Sequence, residues 1–305
     1  MDTRAELVLR PPTLEDVPAL ARLSARLREL YDVSAPTESH LRDKLKSTRA
    51  NSDQNYRVAL TLEGELLAWV AAWSPEGADR VIFNLHAYPR EAGTYEALLD
   101  WIDVRATELR RPLVFANAAS DDDVLAAALR RRDYELVRHF FRMAIELDRD
   151  LPEPAWPDGI DVRVFEPGDE RAVFAADMEA FRDHWGFFEV PFEEWQEYFL
   201  ASSEFDPTLW FLAHDGRELA GFSLCWNERR PNTGHVAVLG VRPPWRRRGL
   251  ATALLLHSFD EFRRRGRPAA DLSVDGENTT GAVALYERAG MRVAHRDDAY
   301  RRVLG

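Results

Sequence analysis

The residues best suited to chemistry lie between positions 235 and 291. Arg246, Arg247 and Arg248 run directly into Gly249-Leu250-Ala251-Thr252. Ala251, Leu254, Leu255, Phe259 and Phe262 then recur at helical spacing, so a helix opens at this glycine. The first turn of a helix has backbone N–H groups without partners, and its dipole adds to their pull on an anion. Gly249 permits close backbone approach, Ala251 keeps the second contact slim, and the arginines supply charge for more than one phosphate. The pattern is neither a Walker loop, which needs Gly-Lys-Ser/Thr, nor the GxGxxG of dinucleotide folds. Taken alone, it also suits a strand–turn–helix with a solvated basic rim.

Other candidates flank this loop. His235 stands on the strand leading into it and could serve as a base near neutral pH, or could bond the backbone at a strand end. Glu228, just past the preceding strand, is a second candidate base or a solvated loop residue. Tyr286 falls in a short helical pattern that Asn278 or a following threonine is expected to cap and Gly290 to end. It is either a half-buried aromatic or a proton donor. Residues 181–199, FRDHWGFFEVPFEEWQEYF, are rich in rings. His184, Trp185, Phe187, Phe188, Trp195, Tyr198 and Phe199, with Trp226 on a neighbouring strand, could wall an acceptor pocket or pack on a sheet. Arg263, Arg264, Arg265 and Arg267 close the helix after the loop, where cations are favourable with or without a further phosphate.

The elements that must hold these residues occur twice. A strand (Leu7 to Arg10) and a long helix (Leu14 to Tyr31) open the chain; Ile160 to Phe165 and a helix from Asp169 to Arg182 repeat the order. Hairpins turning at Glu63-Gly64 and Asp215-Gly216 follow. Each half then has a fourth strand, a helix, a fifth strand, and a last helix with closing strands. The fourth strands are Val81–Leu85 and Val236–Val241, and the offset is about 150 to 160 residues. Between the copies, Asp148 to Gly159 carries three prolines in twelve residues, a linker signal. Two α/β (α+β) domains are therefore expected, 1–150 and 151–305.

Composition narrows the classes. A chain of 305 residues, 46% apolar and 30% charged, is globular and long enough for two cores. Its single cysteine, Cys225, excludes a disulfide framework and a cysteine zinc site, and it suits a cytoplasmic location. The N-terminus does not read as a signal peptide, and no apolar run is long enough for a membrane span. A net charge of −12 argues against nucleic acid as a partner. The assembly is left open between monomer and homodimer.

Arg-x-x-Gly-x-Ala after Leu-x-Val-x-Pro resembles the loop by which GCN5-related N-acetyltransferases (GNAT) hold the pyrophosphate of acetyl-coenzyme A. DGENTTGAVALYERAGM, residues 275–291, is similar to that family's later segment, with Met291 where phenylalanine is usual. The resemblance covers the second half and is specific over residues 235–291. It implies two tandem GNAT-like domains, each a mixed, mostly antiparallel sheet flanked by helices. It further implies acetyl transfer by direct attack, without a metal, to the primary amine of a small molecule or peptide. By resemblance, Leu239, Gly240 and Val241 supply backbone polarisation, residues 246–252 and Asn278 bind the coenzyme, and Tyr286 protonates the thiolate. An acid is common where His235 stands, so this chain departs from the family there. The first half keeps Arg90-x-x-Gly93 but has Tyr95 in place of the small residue and three aspartates, Asp121 to Asp123, further on. It is expected to be a degenerate, non-catalytic copy. An acetyl-coenzyme A sensor without turnover, or transfer of another acyl group, are the competing readings.

Overall fold

In the computed structural model, residues 7–304 are described except 34, 48, 49 and 76. The chain forms two compact units: residues up to Phe140 with His295–Gly305, and Phe141–Ala294.

The first half contributes β1 (Val8–Arg10), α1 (Val17–Tyr31), α2 (Glu38–Lys46), α3 (Ser52–Asn55), β2 (Tyr56–Leu60), β3 (Leu66–Trp73) and β4 (Arg80–Ala87). It continues with α4 (Ala92–Leu109), β5 (Leu113–Ala119), α5 (Asp123–Arg130) and β6 (Glu135–Glu146). The second half contributes β7 (Ile160–Val164), α6 (Glu170–Phe181), α7 (Phe192–Phe199), β8 (Trp210–Asp215), β9 (Glu218–Arg230) and β10 (Thr233–Val241). It ends with α8 (Leu250–Arg264), β11 (Ala269–Asp275), α9 (Ala282–Arg288) and β12 (Arg292–Val303).

In the first unit the strands run β1-β2-β3-β4-β5-β12, with β4–β5 parallel and the registered neighbours otherwise antiparallel. In the second they run β7-β8-β9-β10-β11-β6; β10–β11 is parallel, and β7 through β10 are antiparallel. The closing strands are thus exchanged relative to the repeat. β12 pairs with β5 from Asp297↔Ala119 to Val303↔Leu113, whereas β6 beyond Phe140 lies beside β11. The proline-rich stretch 148–159 marks where the chain leaves β6, and it lies within the second unit. Alternating burial explains the arrangement: Met143, Ile145 and Leu147 point into the second unit's core at 0%, 3% and 1% exposure.

α6 and α7 cover one face of the second unit's sheet through Val173, Ala176, Ala180, Trp195 and Phe199. Asp177 is buried there and accepts from Trp195 Nε1 at 2.9 Å. Burial pushes its carboxyl up to about 6 despite that hydrogen bond.

Two outcomes are expected. A fragment beginning at residue 151 loses β6 and Leu147, and burying Met143, Ile145 and Leu147 is worth roughly 5–8 kcal/mol. That fragment should lack the cooperative thermal transition of the full chain, and supplying 1–150 in trans should restore it. A fragment melting like the intact protein would contradict the exchange. For Asp177, the native state binds more protons than the unfolded chain between about pH 4 and 6, so stability falls as pH rises through that window. Asp177→Asn should therefore be the more stable protein at pH 8, by up to about 3 kcal/mol, with the gap closing toward pH 4. Urea unfolding at both pH values checks this.

Candidate functional site

Three close approaches clamp β9, β10 and α8 together. A Cβ at Gly234 would lie 2.3 Å from the Phe262 ring, and one at Gly240 would lie 2.3 Å from the Phe222 ring. A Cβ at Gly221 would meet Gly240 O at 3.0 Å and Leu250 at 3.2 Å. Gly240 is thus required by Phe222, whatever its backbone does. Ser223 and Ser258, both fully buried, share a hydrogen bond of 2.8 Å that ties β9 to α8. Beside them Cys225 is buried, and burial pushes its thiol up to about 11, which makes it an inert core residue.

β10 is bent where the chemistry is expected. Its register with β9 slips between Val236 and Val238, which leaves Ala237 as the extra residue of a bulge. Its parallel pairing with β11 ends at Val236↔Leu272. From Ala237 to Val241 the strand has β9 on one edge and no registered partner on the other. Leu239 and Val241, half-buried, lie on this stretch. Polar backbone on an unpaired edge is available to a ligand.

The loop after β10 ends in a left-handed residue, Gly249 (φ 88°), immediately before α8, and Arg247 is also left-handed (φ 64°). Open space surrounds the Cβ position of Gly249. The first helical bond is Ala253 N to Gly249 O, at 3.0 Å. Among the described residues, the six N–H groups from Arg247 to Thr252 have no protein acceptor. A run of unpaired amides at a helix N-terminus has the donors and the dipole to accept an anion.

The three arginines separate by role. Arg246 donates to Val241 O at 3.2 Å and Ala180 O at 2.9 Å, so its guanidinium braces the loop against the end of α6. Arg247 and Arg248 are exposed, with Arg248 only 3.9 Å from Asp215 at its nearest. The arginines ending α8 are engaged with neighbours: Arg263 with Asp260, Arg264 with Glu261, Arg265 with Asp206 and Glu261, and Arg267 with Glu228.

Sequence candidates for acid–base work also divide. Glu228 has both oxygens occupied, one by Asn232 N at 2.8 Å and one by Arg267 at 2.6 Å. It holds the β9–β10 turn. His235 is half-buried, with Trp226 stacked beside it at 5.6 Å and 13°. Its Nδ1 lies 2.7 Å from Asp271 Oδ1. Sequence reading missed Asp271, which the parallel register of β10 and β11 pairs with His235.

Tyr286 lies on α9 within the apolar cluster that includes Leu250, Leu254 and Val274. Burial pushes its hydroxyl up to about 12. Asn278 does not cap α9. Its Oδ1 accepts from Thr280 N at 2.7 Å, while the cap is Gly281 in left-handed conformation (φ 83°) with no side-chain bond. The aromatic segment splits as well. Trp195 and Phe199 are core, and Trp226 is buried with an unpartnered Nε1. Trp185 and Tyr198 are each 40% exposed, and Phe188 is half-buried. His184 packs against Phe181, and burial followed by the Arg246 charge holds its imidazole below the ordinary value.

The matching place in the first unit is filled by its own side chains. Arg90 reaches Asp121 at 3.1 Å and Asp122 at 3.2 Å and stacks 3.6 Å from the Tyr31 ring. The buried Tyr95 hydroxyl donates to Asp122. α4 begins at Ala92 behind an extended Glu91, so Gly93 lies inside the helix.

Among the described residues no group of ligating side chains could hold a metal ion, and no helix is long and apolar enough to cross a membrane. Residues 171–291 match the acetyltransferase (GNAT) family. The chain is 34% identical to a mycothiol acetyltransferase of Thermomonospora curvata over 307 residues, 95% of each protein. It is 31% identical to that of Salinispora tropica over 297 residues, 92% of this chain and 91% of the relative. A Streptomyces bingchenggensis mycothiol acetyltransferase aligns over 50% of this chain and 49% of its own length, at 37% identity. Among solved structures, a GCN5-related N-acetyltransferase from Sphaerobacter thermophilus superposes with TM-score 0.79 at 32% identity, covering 99% of this chain and 96% of that one. A tandem GNAT protein from the clavulanic acid biosynthesis pathway shares the fold, with TM-score 0.75 at 16% identity.

Proposed function

Because the chain belongs to the GNAT family of acetyltransferases, we propose that its second unit transfers an acetyl group from acetyl-coenzyme A to the primary amine of a small molecule. The observation that carries this is the run of unpaired amides from Arg247 to Thr252 beside an open Gly249. A diphosphate suits that run: hydrogen bonds from neutral amides to an anion are worth about 1.5–3 kcal/mol each, and the exposed Arg247 and Arg248 add charge. The relatives that align along most of the chain are named mycothiol acetyltransferase, which favours a mycothiol-type small acceptor over a peptide.

When bound, the coenzyme supplies a thioester carbonyl open to attack by nitrogen. The chain's own groups then have distinct tasks. The unpaired edge of β10 at Leu239 to Val241 offers N–H groups that favour negative charge on an oxygen. His235 holds the lone pair that takes a proton from the acceptor nitrogen. Tyr286 stays protonated throughout the working pH range, because burial keeps its hydroxyl near about 12, and it donates to the departing sulfur. The buried Trp226 and the exposed Trp185, with His184 and Phe188, border the acceptor. Amides and side chains complete this chemistry without calling on a metal.

The first unit is inferred to be a non-catalytic copy. Asp121 and Asp122 already neutralise Arg90 where an anion would sit, and like charge opposes a second anion there.

The reading predicts thiol release from acetyl-coenzyme A in the presence of small primary amines. Tyr286→Phe should lower kcat about a hundredfold while leaving coenzyme affinity in calorimetry nearly unchanged. Gly249→Val should do the reverse, weakening affinity about tenfold or more through a strained backbone and a blocked approach. Tight binding with no thiol release for any amine would establish the sensor instead.

A further inference from the structure

We propose that Asp271 is the positioning residue of the site: with Arg142 and Arg230 beside it, it fixes His235 in the tautomer whose Nε2 lone pair faces the acceptor. This rests on the reading of His235 as the base, and it concerns a residue on a different strand.

The two side chains are brought together by sheet geometry. His235 on β10 and Asp271 on β11 are direct partners in a parallel register that lasts only four residue pairs, just before the strands separate. Side chains at paired positions share a face, and here Asp271 Oδ1 lies 2.7 Å from His235 Nδ1. A carboxylate accepts only, so Nδ1 must carry the proton, and the neutral ring keeps its lone pair on Nε2. On the opposite side, Trp226 is the register partner of His235 on β9 and stacks beside the imidazole at 13°, limiting its rotation.

Asp271 is 1% exposed, and a charge taken out of water needs partners. Two guanidinium groups supply them: Arg142 Nη1 and Arg230 Nε lie 3.7 and 3.8 Å from Oδ2. Arg142 is itself buried. It comes from β6, so the first half of the sequence contributes to the support of a site in the second unit. The proton balance is simple. The acceptor nitrogen gives its proton to Nε2, the ring becomes imidazolium with Nδ1–H still bonded to Asp271, and the proton then leaves Nε2 for water. Asp271 remains a carboxylate throughout.

The first unit has a similar pair that cannot do this. His139 Nδ1 lies 2.8 Å from Asp298, but Arg296 Nη2 sits 2.8 Å from the same nitrogen and 3.3 Å from Nε2. A guanidinium against both ring nitrogens leaves no accessible lone pair.

The test uses the full-length protein. Nitrogen-15 spectra of labelled histidine should show neutral His235 protonated at Nδ1, with its resonances assigned by their loss in His235→Ala. The Nε2–H tautomer would overturn the proposal without any variant of Asp271 having to fold. Asp271→Asn should lower kcat about a hundredfold with the KM for acetyl-coenzyme A little changed, and should shift the ring toward the Nε2–H form. The His235→Ala/Asp271→Asn double variant should be no slower than His235→Ala alone. If His235→Ala retains full activity, the base assignment fails. If His235→Ala is slow but Asp271→Asn matches the parent enzyme, only the role of Asp271 fails.

Discussion

The site depends on one break in pairing: β10 and β11 run together as far as Val236 and Leu272 and then separate. Everything assigned to chemistry is organised about that point. Before it, the register holds His235 against Asp271. After it, the edge of β10 is free to face a ligand, and the chain runs on to Gly249 and α8. The bulge at Ala237 is the local cause, because an extra residue bends its strand and increases its twist. An unbroken ladder would use those backbone groups internally and leave no opening.

An open edge is stable only if the rest of the strand is held firmly. The Phe262 and Phe222 rings occupy the space above Gly234 and Gly240, one on each side of the bulge. The Ser223–Ser258 bond fixes β9 to α8 from within the core. Arg246 bridges Val241 and Ala180, so the loop is anchored at its first residue while the amides behind it remain unpaired. Rigidity on three sides permits backbone groups without partners on the fourth, and preorganised donors of this kind are the ones most effective toward developing charge.

Much of this was legible in the sequence. The element order, the Asp215-Gly216 hairpin and the start of α8 at Gly249 follow from periodicity and turn chemistry, which are local. What remained hidden is non-local. The carbonyl partners of Arg246, 66 and 5 residues away, are invisible in its own motif. The pairing of Glu228 with Arg267 is equally invisible, and Asp271 reads as an ordinary strand residue. The exchange of β6 and β12 is hidden for the same reason. Each strand carries a pattern that satisfies either sheet, and only side chains such as Met143, Ile145 and Leu147 reveal which core they fill.

The two copies differ by few residues at the matching loop. Both keep an arginine and a glycine three residues apart at the start of a helix. In the second, Gly249 precedes the helix in a left-handed conformation and its neighbours have no acceptors. In the first, Gly93 lies inside the helix, Tyr95 stands at the motif position of Ala251, and Asp122 takes both the tyrosine hydroxyl and the arginine. Asp122 also caps α5 by accepting from Leu125 N at 3.0 Å. A carboxylate fixed in the chain satisfies the arginine as a diphosphate would, but it cannot leave. Its fixed charge already occupies the arginine, and like charge there opposes a second anion.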